Sequence, residues 1–460
     1  MRVILKNFRI IDEKTDMTGT VILENGFISA LFSSGSPDAN AAAMIIDGSH
    51  LGSSGELPVL MPAFVDLHAH FRDLGSLFSA ERAHPTELSR PTEVAFPSEL
   101  SLPSEVAFPS ELVESASLAA AAGGFGTVVC MANTSPAIDK LKKAMSLKKH
   151  SDALGFVDLY PVISLTKGME GKELSEINKL LPKTGGTYLP LMLSEDGKDL
   201  ADDELFLAAM KEAKRLGIPV SCHCDLGGDE AAAVRRVIEL GKQALCHIHI
   251  AHVSTQEAIK VITQAKAESN TAESGTPQRD AFTLSCEVMP HHLCLTEEDA
   301  VKLGKTTNGR VNPPLRCEED RQALIRALAD ETIDAIATDH APHSVAAKEA
   351  GAPGFSGFET AFAAVYTELV RTQRSPDHLD LKRLSSLMSA APARLLGLDD
   401  RGLIVPGHRA DLVILDTEAS WVVDPGAFKS RGKNSPFAGK ELYGKVLMTL
   451  RSGQLVFSSS

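Results

Sequence analysis

Residues 60–75 read LMPAFVDLHAHFRDLG, an apolar run that ends in His68, His70 and Arg72. If residues 60–67 form a strand, its alternation points His68 and His70 to the same side, where two imidazole groups can bind one metal ion. Arg72 follows on that side and is placed to hold an anion. The segment therefore predicts a metal site at the end of a strand.

The middle of the chain repeats this kind of apolar, β-rich run in alternation with helical patterns. Eight runs occur, at 60–67, 126–131, 156–163, 189–193, 218–222, 247–251, 283–288 and 333–338. Between them, Asp202–Leu216 and Glu318–Leu328 carry apolar residues at helical spacing. Strands and helices in this order predict an α/β fold, a (β/α)8 TIM barrel, over residues 59–401.

Short β-type runs separated by turn residues occur at both ends of the chain. They are Arg2–Leu5, Thr20–Leu23, Phe27–Leu31, Ala410–Asp416, Val446–Arg451 and Gln454–Phe457. We expect residues 1–58 and 402–460 to build one small composite β-sandwich domain.

A repeat lies between the first two barrel strands. From Pro85 it reads PTELSR, PTEVAF, PSELSL, PSEVAF and PSELVE, and it ends at Glu114. Prolines at every sixth position prevent a continuous helix, and five hexads are too few for a separate solenoid. We expect residues 76–114 to form an irregular surface insertion, and Ala267–Asp280, a second low-complexity patch, to form an exposed loop.

Composition narrows the class of function. Lys and Arg total 46 against 60 Asp and Glu, a net charge of −14 without a basic stripe, which argues against nucleic-acid binding and favours a small-molecule substrate. No apolar stretch reaches the roughly 18 residues of a membrane span, and the N-terminus lacks a secretory signal, so we expect a cytoplasmic protein without membrane contact. The seven cysteines are interpreted as reduced thiols, and Cys222 and Cys224 should pack away from His223.

Polar residues stand repeatedly where the predicted strands end. They are His68 and His70, Asn133, Glu195 and Asp196, His223, His252, and Asp339, His340 and His343. The carboxyl ends of barrel strands converge on one cavity, so these side chains should meet there. Imidazole nitrogen and carboxylate oxygen are donors that suit zinc.

Several longer motifs match a known family. They are His68-Ala-His-Phe-Arg72, Met131-Ala-Asn-Thr134, Ser194-Glu-Asp-Gly197, His252-Val-Ser-Thr255, Cys286-Glu-Val-Met-Pro-His-His-Leu293, Val311-Asn-Pro-Pro-Leu-Arg316, Ala337-Thr-Asp-His-Ala-Pro-His343 and Gly357-Phe-Glu-Thr360. Together they resemble the dihydroorotases of the amidohydrolase superfamily over nearly the whole chain. The sequence departs from that pattern at Asp73-Leu-Gly75, where the family usually has Glu-Pro-Gly, and at Ala132, where Pro is usual.

The resemblance implies a site with two Zn²⁺ ions per chain. By position, His68, His70 and Asp339 bind one ion, His223 and His252 bind the second, and Asp196 bridges them. Many relatives bridge with a carboxylated lysine, but residues 188–193 contain no lysine, so the chain is similar to the aspartate-bridged bacterial type. Glu195 remains an alternative bridge, although strand alternation and family position favour Asp196.

The resemblance also implies a reaction, the reversible cyclisation of N-carbamoyl-L-aspartate to dihydroorotate in pyrimidine biosynthesis. Asp339 would act as general base and then as general acid. The substrate carboxylate would be bound by Arg72, Asn133 and His343, with further contacts from Asn312, Pro353 and Gly354. The remaining histidines receive lesser roles.

Those histidines are His249, His291, His292 and His340. His249, at odd spacing from His252, should face away from the site and be structural, and His291 and His292 are not assigned as ligands. His340 should orient its neighbour Asp339.

Two alternatives stay open at this stage. The first is another cyclic-amide hydrolase, a hydantoinase or an allantoinase. The second is a non-catalytic relative that serves as a partner of aspartate transcarbamoylase, which would be expected to have lost ligands, whereas all six are present here. We expect a homodimer, and association with aspartate transcarbamoylase is a further hypothesis.

Overall fold

The computed structural model describes residues 1–33, 43–74, 111–182, 190–270, 281–304, 308–372 and 377–459. Most of the predicted hexad insertion therefore lies outside the described residues, and so do residues 271–280 of the second low-complexity patch. No helix in the described ranges is long and apolar enough to cross a membrane.

Strands from both ends of the chain pair in one eight-stranded sheet. They are β1 (Arg2–Ile11), β2 (Asp16–Glu24), β3 (Phe27–Phe32), β4 (Met44–Asp47), β5 (Val59–Pro62), β14 (Leu412–Val422), β15 (Glu441–Arg451) and β16 (Gln454–Ser458). Their order is β16-β15-β14-β5-β1-β2-β3, and β4 also pairs with β1. The pairing of β5 with both β1 and β14 joins the two ends of the chain.

The remaining strands are parallel and form the barrel. They are β6 (Phe64–Ala69), β7 (Phe125–Cys130), β8 (Asp158–Pro161), β9 (Leu193–Ser194), β10 (Val220–Cys222), β11 (His247–Ile250), β12 (Thr283–Val288) and β13 (Ala335–Ile336). They pair as β6-β7-β8 and as β13-β12-β11-β10-β9. Single parallel bridges, Ile163 with Leu193 and Ala69 with His340, link the edges of these two groups. The eight strands thus complete a ring, and each overlaps one predicted run.

The first predicted strand proves to be two. Val59–Pro62 is β5 of the terminal sheet, whereas β6 begins only at Phe64. Between them the Ala63 amide donates to the carbonyl of Asp411 in the C-terminal part of the chain. The apolar run 60–67 therefore serves both sheets, a division that hydrophobicity alone does not reveal. The proposed domain limits at residues 58/59 and 401/402 stay a prediction.

The helices lie between the barrel strands and after them. They are α1 (Val113–Ala122), α2 (Leu141–Leu154), α3 (Asp203–Leu216), α4 (Glu230–Ala244), α5 (Gln256–Asn270), α6 (Pro290–Cys294), α7 (Glu297–Leu303), α8 (Glu318–Ala329), α9 (Val345–Glu349), α10 (Phe358–Val365), α11 (Leu381–Ser385) and α12 (Ala391–Leu395). Two expectations are corrected here. The last hexad leads into α1, with Glu111 fully buried, and α5 continues to Asn270 where a loop from Ala267 was expected.

Helix α3 shows how local sequence sets these elements. The Asp202 side chain accepts a hydrogen bond from the Leu205 amide and caps the start, and Gly217 ends the helix at φ +71°. Phe206, Ala209, Met210, Ala213 and Leu216 recur at helical spacing and are buried. This stripe packs α3 against the barrel.

A buried ionic cluster joins the barrel to the C-terminal segment. Asp158 at the start of β8 lies 2.9 Å from Arg401 Nη1, 3.1 Å from Arg409 Nη1 and 2.8 Å from Lys148 Nζ. Burial would raise the pKa of Asp158, but the three cations outweigh it and the net shift is downward. The carboxylate is therefore ionised at neutral pH.

Candidate active site

The predicted ligand residues meet at one end of the barrel. Donor atoms of His68, His70 and Asp339 lie within 4.8 Å of one another, and so do those of His68, Asp196 and His252. All five side chains are buried. The closest contact joins His70 Nε2 to Asp339 Oδ1 at 2.9 Å. Two overlapping groups of nitrogen and oxygen donors are thus assembled around His68.

The geometry of His68 fits a divalent cation. Its Nε2 atom is buried and has no hydrogen-bond partner among the described residues. It faces Asp196 Oδ1 at 3.3 Å and Asp339 Oδ1 at 3.8 Å. Burial lowers the pKa of His68, but the nearby carboxylates outweigh it and the net shift is upward. A site this rich in carboxylate attracts positive charge.

His223, directly after β10, completes the set. Its Nδ1 atom lies 2.8 Å from His252 Nε2, and both nitrogens approach Asp196 Oδ1, at 3.9 and 3.7 Å. Burial and the neighbouring His252 lower the pKa of His223 to about 4. A neutral imidazole of this kind is the form that binds a metal.

Two of these residues have an unusual backbone. His252 has φ +36° and Asp339 has φ +47°, in the left-handed region that side chains other than glycine rarely adopt. Both lie just past the ends of their strands, β11 and β13. The turn directs their side chains into the cluster, and strain of this kind is concentrated at functional sites.

This turn overturns the expectation for His249. His249 Nε2 lies 3.2 Å from Glu287 Oε2, and His249 Nδ1 is 2.8 Å from Ser285 Oγ. Because Glu287 also reaches His68 across the barrel, His249 faces the barrel interior rather than away from it. Alternation failed because β11 ends at Ile250, before His252.

Glu287 is a residue that the sequence reasoning missed. Its Oε1 atom lies 2.8 Å from His68 Nδ1. Burial raises the pKa of Glu287, but His249 and His68 outweigh it and lower the pKa to about 2. Its signal was a charged residue within the otherwise uncharged strand β12, inside a motif already singled out.

Asp66 is a second missed residue. Its carboxylate accepts hydrogen bonds from the Thr338 amide at 2.8 Å and the Thr338 hydroxyl at 2.6 Å. Burial raises the pKa of Asp66 to about 7. The contact fixes the end of β13 against β6 and so places Asp339 beside His68.

The structure separates the two acidic residues after β9. Glu195 accepts from the Thr166 amide at 3.0 Å and from the Thr166 hydroxyl, away from the histidines. The Asp196 carboxylate lies among the histidines, and Asn133 Nδ2 donates to it at 3.0 Å. Asn133 Oδ1 is 2.7 Å from His70 Nδ1. The Asn133 amide therefore orients two predicted ligands.

A second group of predicted residues lies beside the cluster. His343 Nε2 donates to the Pro353 carbonyl at 2.7 Å, and Gly354 follows directly. Burial lowers the pKa of His343 to about 4, with a further contribution from Arg72. Arg72 Nε is buried without a hydrogen-bond partner in the described part of the chain. Arg72 also interacts electrostatically with Asp339, so the guanidinium lies next to both groups.

The other predicted residues are placed as follows. Asn312 Nδ2 lies 3.4 Å from His223 Nε2. His340 Nδ1 accepts from the amides of Gly357 and Phe358, which ties the loop after β13 to α10. An orienting contact from His340 to Asp339 is thus replaced by a loop anchor.

The remaining histidines and cysteines follow the packing interpretation. His292 Nε2 lies 3.1 Å from the Pro313 carbonyl, and His291 is buried. Cys222 and Cys224 are buried free thiols, and all seven cysteines are free.

Comparison with known proteins places the chain. Its sequence matches the amidohydrolase family over residues 59–456. The chain belongs to the amidohydrolase family. Within that family it is 34% identical to a protein named dihydroorotase from Clostridium botulinum, over 99% of this chain and 100% of the relative. It is also 34% identical to a dihydroorotase from a Geobacillus species, with 99% of each chain covered. The resemblance to dihydroorotases is confirmed.

Solved structures of hydantoinases share the fold. L-hydantoinase from Arthrobacter aurescens superposes with a TM-score of 0.76 at 23% identity, over 99% of this chain and 96% of that one. D-hydantoinase from a Thermus species gives 0.75 at 20% identity, over 100% and 96%. The predicted fold class, a TIM barrel with a β domain built from both termini, is confirmed.

Proposed function

We propose that this amidohydrolase is a dihydroorotase, which interconverts dihydroorotate plus water and N-carbamoyl-L-aspartate. That reaction is the third step of pyrimidine biosynthesis. Full-length relatives named dihydroorotase support it. The observation that carries it is the Nε atom of Arg72, which is buried beside the histidine and aspartate cluster and has no hydrogen-bond partner among the described residues. A buried N–H of a guanidinium without a hydrogen-bond acceptor calls for an anionic ligand that can accept it.

The substrate supplies such an anion, because dihydroorotate carries a carboxylate on its ring. The guanidinium of Arg72 offers a fork of donors that matches a carboxylate. His343 lies near Arg72 and is neutral at pH 7, because burial and Arg72 lower the pKa of His343 to about 4. It therefore adds no second positive charge beside the guanidinium. Asn312, Pro353 and Gly354 would complete the contacts.

The donors present fit two divalent cations, which we propose to be Zn²⁺. His68, His70 and Asp339 would hold one, His223 and His252 the other, and Asp196 both. When bound, the ions supply Lewis-acid polarisation of the ring carbonyl and a nucleophilic water at neutral pH. The Nε2 atom of His68, which has no hydrogen-bond partner in the part of the chain that the structure describes, supports this assignment.

Asp339 would carry the proton. Burial raises the pKa of Asp339, but hydrogen bonding to His70 and the positive charge of nearby histidines outweigh it, so the net shift is downward and the group is ionised. The carboxylate takes a proton from the attacking water as the water oxygen bonds to the ring carbonyl carbon. It then gives the proton to the ring nitrogen as the C–N bond breaks.

A hydantoinase is the second candidate, since solved hydantoinases share the fold. The cationic side chain at Arg72 favours a substrate that carries a carboxylate. Assays with dihydroorotate, hydantoin and allantoin decide between them. We expect turnover of dihydroorotate, and turnover of either other compound without it would refute the proposal.

Metal content tests the rest of the proposal. We expect close to two Zn²⁺ per chain, and full activity in a preparation without metal would contradict the metal assignment. Homodimer formation, association with aspartate transcarbamoylase and a cytoplasmic location remain predictions. Light scattering of the purified protein, alone and mixed with a transcarbamoylase, tests the first two.

A further inference from the structure

Two buried side chains converge on the carbonyl oxygen of Gly354. Lys348 Nζ donates to it at 2.8 Å and Asn434 Nδ2 at 3.0 Å. Lys348 is 4% exposed and Asn434 is 8% exposed. Gly354 itself has φ +109°, and a Cβ there would lie 2.6 Å from Ala341 Cβ. The chain is thus fixed at this point by its backbone and by two donors.

The ammonium group of Lys348 lies in a cage of backbone carbonyls. Besides Gly354, its ammonium donates to the carbonyl of Ala352 at 2.8 Å and to that of Arg310 at 3.1 Å. An ammonium group has three protons, and each of them finds an acceptor here. Because Arg310 stands two residues before Asn312, the lysine ties the Gly354 loop to the segment that carries Asn312.

Asn434 connects Gly354 to His343. Its Oδ1 atom accepts from the His343 amide at 3.3 Å, while its Nδ2 atom holds Gly354. Its own carbonyl accepts from the Ser356 amide at 3.0 Å. Asn434 belongs to the C-terminal segment before β15, outside the barrel strands. One amide side chain therefore spans two loops of the barrel.

The segment around Asn434 is itself held from two sides. The Glu111 carboxylate accepts from Ser430 Oγ at 2.7 Å and from the Arg431 amide at 3.1 Å. Ser356 Oγ donates to the Gly432 carbonyl at 2.5 Å. Residues 430–434 are thus bound to the segment before α1 and to the loop before α10. These contacts hold the backbone that carries Asn434 in place.

We propose that Lys348 and Asn434 are positioning residues that hold His343 and Gly354 in place for the substrate carboxylate. This inference rests on the proposed function, which assigns the carboxylate to that side of the site. His343 and Gly354 lie on irregular loops, so no regular strand or helix fixes their relative positions. Small displacements of groups that bind a substrate reduce its affinity.

The test separates substrate binding from the chemical step. Asn434→Asp keeps the size and the acceptor for the His343 amide but places a carboxylate oxygen against the Gly354 carbonyl. Lys348→Met empties the carbonyl cage of its charge. For both variants we expect KM for dihydroorotate to rise by about tenfold or more, with kcat within about threefold of wild type and unchanged zinc content.

Lys266→Met is the matched control. Lys266 Nζ also donates to a backbone carbonyl, that of Thr332 at 2.8 Å, and to Asp334 at 2.6 Å, away from His343 and Gly354. It should lower the melting temperature without changing KM.

Three outcomes overturn the inference. If both variants fold and keep the KM of a wild type that turns over dihydroorotate, this inference is refuted and the proposed function is not. Failure of both variants to fold would show that the two residues serve stability rather than binding. Absence of wild-type turnover refutes the proposed function and this inference with it.

Discussion

Glu287 Oε1 lies 2.8 Å from His68 Nδ1 in the interior of the barrel, where both side chains are 0% exposed. A carboxylate accepts, so Nδ1 of the imidazole carries a proton. Nε2 is then the atom left to face Asp196 and Asp339. The nitrogen that His68 presents to the cluster and its ring orientation are therefore set by a residue on β12.

Glu287→Gln tests this relationship. Glutamine keeps the size of the side chain but lacks the charge that holds the proton on His68 Nδ1. We expect zinc affinity to fall by about 10- to 100-fold, as for other partners of metal-binding histidines. Competition with a chelator of known affinity at constant pH measures it.

Glu359→Gln is the control for that experiment. The Glu359 carboxylate also accepts backbone hydrogen bonds, from the amides of Lys429 at 2.8 Å and Ser430 at 3.1 Å, but it contacts none of the clustered histidines. The zinc affinity of the Glu359→Gln variant should equal that of the wild type. Equal affinity in both variants would show that Glu287 does not position His68.

Asp339→Asn removes the proposed proton carrier. An amide cannot take a proton from water, so we expect kcat to fall by about 10²- to 10⁴-fold. Steady-state rates are compared at equal zinc content, since Asp339 is also a proposed ligand. Asp330→Asn, at an exposed residue after α8, should leave kcat unchanged. A rate for Asp339→Asn close to the wild type would assign proton transfer to another group.

Arg72→Lys tests recognition of the carboxylate. Lysine keeps the charge but offers a single donor point in place of a fork. Loss of one charge-assisted hydrogen bond costs about 1.5 to 3 kcal/mol, so we expect kcat/KM for dihydroorotate to fall by roughly tenfold to a hundredfold. Arg326→Lys, at an exposed position of α8, is the control. An unchanged kcat/KM would remove Arg72 from substrate binding.

Much of the site could be predicted from the sequence because its residues lie at the ends of strands. His68, Asn133, Asp196 and His223 each come at or just after a strand end, and parallel strands bring such ends together. His252 also follows a strand end, but its backbone turns there at φ +36°. Alternation counted from His252 therefore placed His249 on the wrong side of the strand.

Contacts between distant parts of the chain could not be predicted from the sequence. Glu287 is 219 positions from His68, and Asn434 is 91 positions from His343. No local period records such pairs, because they depend on how the barrel closes and how the C-terminal segment crosses it. The split of residues 60–67 between two sheets has the same origin, since β5 is defined by its distant partner β14.

Asp158→Asn should reveal a pH-dependent contribution to stability. Lys148, Arg401 and Arg409 lower the pKa of buried Asp158 against the effect of burial, so at pH 7 the ionised carboxylate stabilises the fold. Breaking a buried ion pair costs about 3 to 5 kcal/mol. Because the pKa is lower in the folded state, the difference between wild type and variant should persist above about pH 4, the unfolded value, and disappear as the pH falls through the folded pKa. Urea unfolding between pH 7 and pH 2 measures this difference, which should be constant down to about pH 4 and smaller below it. Asp152→Asn, half exposed beside the same lysine, should change stability by at most about 1 kcal/mol. A constant difference for Asp158→Asn across that range would mean that the carboxylate acts through packing and not through its charge.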